Sequence, residues 1–393
     1  MILFLLNLLQ GSLAKELQRF FCAMEPKGLR PAPATPAAVC IARKKIQPSA
    51  FQALQDLVVD FFYRRMPWRK WKGFRVVAMD GSTLSLPKTK EIQARFGTWG
   101  NPPHGEPGVT ARISLLHDVL NHLPLHGILV SKSIGERELA KIHGEFLRPG
   151  DLWLMDRGYA GYWIFQYTLY KGAQFLCRLP TRQRGWKVVH EFLTSNAPEA
   201  VVTLRCPSSS VAQCRALGLP TSRMTVRLIR VERPEGEVAV LATSLLDASK
   251  YPAASLAKLY ALRWDVEENG YKVLKCRVEV ERFTGKSVLS VQQDFHAKLL
   301  LVAIASVFRW VAQHAVDAAT AHRKHRYSVN FSHALATMKD HFVALVLRPS
   351  CEGVEALLLV LASVMEPVRP GRHYPRHKRV KNRHKVPAYK HVG

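Results

Sequence analysis

Apolar residues recur at three- and four-residue spacings through LAKELQRFF (13–21) and SAFQALQDLVVDFFYRR (49–65), which predicts two helices. The loop-like PKGLRPAPATPAA (26–38) joins them. The second helix runs into RRMPWRKWK (64–72), a basic stretch interleaved with two tryptophans. There the pattern changes. FRVVAMD (74–80) is a short apolar run cut off at an aspartate, which predicts a buried strand ending at Asp80. ARISLLHDVLNHLPLHGILVSKS (111–133) reads as two further strands around a turn, and GERELAKIHGEFL (135–147) as a helix. DLWLM (151–155) is another short strand, followed by Asp156, and FLCRLP (175–180) is a third.

Between 181 and 247, VVTLRC, MTVRLIRV and EVAVLATSLL alternate with Ser-, Gly- and Pro-rich turns, which predicts a largely β segment with little helix. Helical periodicity returns at 253–277 and runs on through 288–345. The fold class expected from this order is α/β. Its divisions are a helical N-terminal region 1–72, a first core segment 73–180, a β-rich insertion 181–247 and a helical remainder of the core 248–345. A C-terminal helix 346–368 and a basic tail 369–393 complete the chain. That tail has nine Lys+Arg and no acid, so disorder is expected there.

Composition changes the picture through charge. Over 393 residues, 57 Lys+Arg against 30 Asp+Glu leave a formal net charge of +27. Such an excess favours polyanions, since each lysine or arginine that meets a nucleic-acid phosphate releases counterions. RRMPWRKWK (64–72) and RPGRHYPRHKRVKNRHK (369–385) are the expected phosphate contacts. His373, His377 and His384 in the tail have no cysteine partners nearby and are not expected to hold a metal. The seven cysteines are scattered, without a C-x-x-C pair, which argues against a disulfide framework and fits a reducing cytoplasm. MILFLLNLLQ has no positive charge ahead of its apolar run and makes a poor signal peptide. It opens directly into an apolar helix without a cap, which leaves a portion upstream open. LLLVAIASVF (299–308) and EALLLVLASV (355–364) are expected to be buried helices rather than membrane spans.

Three acids stand out by position. Asp80 and Asp156 each follow a short apolar strand, and Glu267 lies in YALRWDVEENGYKVLK (260–275). Carboxylates at neighbouring strand ends, completed by one from a packed helix, form the hard oxygen environment that Mg²⁺ prefers. On an α-helix Tyr260, Arg263 and Glu267 share one face. Trp264 is expected in the core.

AMDGSTLSLP, LMDRGY and Y-x-x-R-W-x-V-E together resemble the bacterial insertion-sequence transposases of family four, cut-and-paste enzymes of the DDE type. The resemblance extends to ARKKIQPSAF (42–51) and RVEVERFTGKSVLSVQQDFHAK (277–298). It implies an RNase H-like core with a β-rich insertion between the second and third acids, and Asp80, Asp156 and Glu267 as the catalytic, metal-binding triad. It further implies two Mg²⁺ ions, with Mn²⁺ as a substitute, and Tyr260, Arg263 and Lys275 as residues that position DNA phosphates. The partners implied are the element's terminal inverted repeats and target DNA, with a homodimer in the synaptic complex and a nucleoid-associated, cytoplasmic location. Cleavage at the element ends and strand transfer into target DNA is the reaction implied, and a hairpin at the cut end occurs in some relatives. A departure concerns the third motif. The family's lysine falls seven positions after the glutamate, where this chain has Leu274, and Lys275 follows. On an ideal helix Lys275 lies about 80° from Glu267 but shares the face of Glu268, the alternative third acid. A single-turn π-bulge near Gly270 would absorb the extra residue. Two other readings stay open: an RNase H-like nuclease that cuts without joining, and a transposase-derived DNA-binding protein without catalysis.

Overall fold

A computed structural model of the chain describes residues 1–7, 11–24, 31–99, 108–181, 186–232 and 237–369. The expected basic tail lies outside the described residues from 370 onward, and with it His373, His377 and His384. Two compact units result. The helical unit is Met1–Met66, Leu84–Ala111 and Lys272–Gly393, and the sheet unit is Pro67–Thr83 and Arg112–Tyr271.

Nine strands form one sheet: β1 (Arg75–Leu86), β2 (Thr98–Trp99), β3 (Gly108–Asp118), β4 (Leu123–Ser131), β5 (Asp151–Met155), β6 (Gln174–Leu179), β7 (Glu199–Leu204), β8 (Met224–Glu232) and β9 (Val238–Thr243). Their order is β2-β3-β1-β5-β6-β9-β8-β7, with β4 paired to β3. β1, β5 and β6 run parallel. Strands buried on both faces read as continuous apolar runs, and Val76–Met79 and Leu152–Met155 have no exposed surface. β9, β8 and β7 continue antiparallel from β6.

Several expectations need correction. β1 does not stop at Asp80 but runs on to Leu86, so Asp80 sits within the strand rather than at its end. Residues 181–247 carry, besides their three strands, the helices Lys187–Thr194 and Ser208–Ala216. The second of these is rich in serine and has little amphipathic pattern to announce it. The helical run expected over 288–345 is broken between Val288–Thr320 and Phe331–Leu347. In the gap, β10 (Tyr327–Val329) pairs antiparallel with β11 (Met365–Pro367).

In the helical unit, the helix Val288–Thr320 starts at a reciprocal cap, in which Ser287 and Ser290 each accept from the other's backbone. It is long and apolar enough to cross a membrane by length and composition, but 61% of its most apolar window is buried inside the protein. The helix Ser49–Arg65 packs along it, with Phe62 edge-on to Trp310 at 5.6 Å. Arg43 explains why ARKKIQPSAF and the segment 277–298 accompany one another. Its guanidinium donates to Thr284 Oγ1 (2.6 Å), Gln293 Oε1 (2.7 Å) and Asp294 Oδ1 (3.0 Å). Gln293 returns bonds to the carbonyls of Arg43 and Ile46.

Candidate active site

Ala78 on β1 pairs in register with Leu154 on the parallel β5. Asp80, two residues further along β1, and Asp156, the residue just past β5, therefore follow the paired stretch of two adjacent strands, whose spacing in a sheet is about 4.8 Å. The β1 backbone is held here by two donors to the Asp80 carbonyl, Ser114 Oγ on β3 (3.1 Å) and the Tyr271 hydroxyl.

The motif segment reaches both acids. Arg263 Nη1 lies 3.8 Å from Asp80 Oδ2, and the arginine side chain is 6% exposed. The Tyr260 hydroxyl lies 3.4 Å from Asp156 Oδ1 and 3.3 Å from the Met155 carbonyl. Arg178, from β6, brings a cation to Asp156, Nη2 to Oδ1 at 3.1 Å. Burial is the largest influence on Asp80 and raises its carboxyl above the usual range. The Gly81 N–H and Arg263 pull the other way, and the charges of Asp156 and Glu136 push it up again.

Glu136 was not visible as a site residue in the sequence. It lies in the first turn of the helix Glu136–Gly144. A Cβ added to Gly81 would meet its Oε1 at 3.3 Å, and one added to Gly158 would meet its Oε2 at 3.5 Å. A third carboxylate thus lies beside the residues that follow Asp80 and Asp156. The Tyr159 hydroxyl is buried among these acids without a hydrogen-bond partner. Burial, then Glu136, Asp80 and Asp156, raise that phenol above its usual range.

The segment 260–275 is not a straight α-helix. Ala253–Ala261 is α-helical, Leu262–Trp264 tightens to a 3₁₀ turn, and Val266–Tyr271 and Val273–Arg277 are π-wound. The structure thus contains the π winding expected near Gly270, and a second stretch after it. Gly270 is buried, and a Cβ there would lie 3.2 Å from Leu115 Cδ1. Trp264 contradicts the core expectation: it is 48% exposed, with the Arg263 guanidinium 4.8 Å from its ring centroid. The 3₁₀ turn advances about 120° per residue instead of 100°, which carries Trp264 off the buried face that Leu256, Leu259 and Tyr260 share.

The structure therefore brings together Asp80, Asp156, Tyr260 and Arg263, and adds Arg178, Glu136 and Tyr159. Glu267, four residues after Arg263, is half-buried, and Glu268 is exposed. Lys275 is half-buried on Val273–Arg277 and belongs to the helical unit. In the sheet unit, Lys70 lies over Trp68 (4.4 Å to the ring centroid) and Lys72 over Trp71 (5.7 Å), so the basic stretch around 68–72 combines cations with rings.

A family profile described as "Transposase DDE domain" matches residues 71–304. The chain is 26% identical over 269 residues to the transposase InsG for insertion sequence element IS4 of Escherichia coli strain K12. That match covers 67% of this chain and 59% of the relative, so the chain spans less than two thirds of the relative's length. Among solved structures, the cryo-EM structure of a piggyBac transposase synaptic complex with hairpin DNA has a TM-score of 0.41 at 9% identity, covering 78% of this chain and 60% of that chain.

Proposed function

This chain belongs to the transposase DDE-domain family, and from that premise we propose that it cuts DNA at the ends of an insertion element and joins them to target DNA. The observation that carries the reading is the register of β1 with the parallel β5, which brings Asp80 on β1 and Asp156 just past β5 to adjacent strands, with Arg263 and Tyr260 at their carboxylates. An RNase H-like core is the fold proposed, supported by the order β4-β3-β1-β5-β6 with the acid-bearing strands at its centre.

The donor set suits a hard divalent cation. The Asp156 and Glu136 charges act on Asp80, burial raises Asp80, and the buried Tyr159 hydroxyl lies near these acids without a hydrogen-bond partner. Asp80 and Asp156 would hold Mg²⁺, or Mn²⁺ in its place, and Glu267 is proposed as the third acid with Glu268 as the alternative. Support for Glu267 is its partial burial one turn beyond Arg263, where Glu268 is exposed. Bound at this site, two such ions would neutralise charge on the phosphodiester and on the attacking and leaving oxygens. Arg263 would orient the scissile phosphate through its fork of donors, and Tyr260 would fix Asp156. Lys275 is proposed as a contact to a DNA phosphate. DNA is the partner proposed, in a synaptic complex of two copies, in the cytoplasm at the nucleoid.

The test is incubation of the protein with Mg²⁺ and DNA that carries the flanking inverted ends. Cut ends and joined products are expected from the wild type, and neither from Asp80→Asn, with end binding retained. Undiminished Mg²⁺-dependent nicking by Asp80→Asn would overturn the assignment, and cut ends without joined products would favour a nuclease.

A further inference from the structure

A second group of ligating side chains lies elsewhere in the sheet unit. His117 is the last residue but one of β3, His122 lies across the turn that leads to β4, and Asp265 sits midway between Arg263 and Glu267. One ligand atom from each lies within 4.8 Å of the others. His117 Nε2 is 3.0 Å from Asp265 Oδ2, and His122 Nδ1 is 2.9 Å from Oδ1. We propose that His117, His122 and Asp265 bind one transition-metal ion of the Zn²⁺ class, separate from the Asp80 and Asp156 carboxylates, and that this ion fastens the Arg263–Glu267 segment to the β3–β4 turn.

The donor set selects the ion. Two imidazole nitrogens and one carboxylate oxygen suit Zn²⁺, Co²⁺ or Ni²⁺, whereas Mg²⁺ prefers oxygens throughout. Around a tetrahedral Zn²⁺ with bonds of about 2.0–2.2 Å, adjacent donors stand roughly 3.4 Å apart. The histidine–aspartate separations are within a few tenths of an ångström of that spacing. His122 is 34% exposed in its side chain, which leaves room for a water as fourth ligand.

Hydrogen bonds alone serve the group poorly. His122 Nδ1 stands almost equally from both Asp265 oxygens, 2.9 and 3.0 Å, and also 3.3 Å from Asn269 Nδ2. One ring nitrogen cannot both give its proton to the carboxylate and accept from the amide. Turning the amide over would set its oxygen against Asp265 Oδ1, which its nitrogen now contacts at 2.5 Å. With an ion in place the Nδ1 lone pair goes to the metal, no proton is needed between the ring and the carboxylate, and Asn269 keeps its bond to Asp265.

The backbone is arranged to present these groups. His122 has φ +52°, in the left-handed region that a side chain enters at some cost in strain. Asp118 pins the turn by accepting from Leu120 N, Asn121 N and Asn121 Nδ2 at 2.8–3.1 Å. His117 and His122 are thereby set before any ligand arrives.

Metal-free, full-length protein titrated with Co²⁺ in the absence of DNA tests the proposal, with the visible spectrum as the readout. One equivalent is expected to give the intense bands of four-coordinate Co²⁺, and Zn²⁺ should displace them. His122→Asn keeps a residue that tolerates the left-handed backbone, so the fold should hold; it is expected to lose the bands and at least tenfold in affinity. Asp80→Asn should keep both. No stoichiometric uptake by the wild type, unchanged bands in His122→Asn, or bands lost in Asp80→Asn would each overturn the site. The outcome does not depend on DNA cleavage, so it stands or falls apart from the transposase reading.

Discussion

The Arg263 guanidinium lies 3.8 Å from the Asp80 carboxylate and is 6% exposed, so a cation from the motif segment is buried against the first acid. A buried guanidinium with one carboxylate contact has donors left to meet phosphate oxygens. Arg263→Ala is expected to lower cleavage roughly 10²-fold, the scale of losing a positioning contact. Arg263→Lys should recover part of the loss, because a lysine retains the charge without the fork. Equal rates for Arg263→Ala and the wild type at saturating DNA and Mg²⁺ would show that the arginine serves Asp80 alone.

Glu136 faces both glycines that follow the acids, and its charge acts on Asp80. If Asp80 and Asp156 hold a cation as proposed, Glu136 would support it from beside those acids. Glu136→Gln keeps the shape and removes the charge. The concentration of Mg²⁺ that gives half-maximal cleavage should rise about 10-fold or more, in the range seen when groups that orient ligands are removed. A Mg²⁺ dependence that matches the wild type would assign Glu136 to local packing.

What the sequence made legible follows from how local each signal is. Asp80 and Asp156 could be singled out because each follows an unbroken apolar run, and Tyr260 and Arg263 because their spacing puts them on one helical face. Trp264 defeated the same reasoning, since a single 3₁₀ turn rotates it outward while leaving Arg263 inside. Glu136 and Arg178 were hidden for another reason. One is an ordinary acid in a helix's first turn and the other a lone arginine in FLCRLP, and both acquire a role through neighbours distant in the chain. Strand order is equally non-local. The pattern of 224–243 announces strands, but not that β9 pairs with β6 and continues the sheet. The three-residue strands β10 and β11 are too short to carry any periodicity.

At the opposite end of β1 and β5 from the acids, Arg75 and Asp151 form a buried fork-to-fork pair. Arg75 Nε lies 2.7 Å from Oδ1 and Nη2 lies 2.5 Å from Oδ2, and Arg148 N donates to Oδ2 at 2.8 Å. Removing one member strands the other charge inside the protein. Arg75→Met is therefore expected to destabilise by about 3–5 kcal/mol. The double variant Arg75→Met/Asp151→Leu should lose less than the single one, because no charge is left unpaired. Denaturant titrations of the three proteins check this, and a double variant less stable than Arg75→Met would refute the account.

Acid should weaken the fold through a pair of buried histidines behind Asp80. Ser114 Oγ donates to the Asp80 carbonyl, so it accepts from His143 Nε2 at 2.9 Å. His143 Nδ1 is then an acceptor, and His126 Nδ1 donates to it at 3.1 Å. Both rings are neutral in this chain of bonds. Burial lowers His126 to about 4, and burial, then His126, lowers His143 well below the ordinary value. In the unfolded chain both would titrate near 6.5. Between that pH and about 4 the unfolded state binds more protons than the native one, so stability falls as pH falls. It is fully present above 6.5 and largely lost for His126 by about 4, a change on the order of 3 kcal/mol for that residue. His126→Gln can still donate to His143 but cannot ionise. Urea titrations from pH 7 to 4 should show a shallower loss for this variant than for the wild type. Parallel curves across that range would mean that the pair does not drive the acid response.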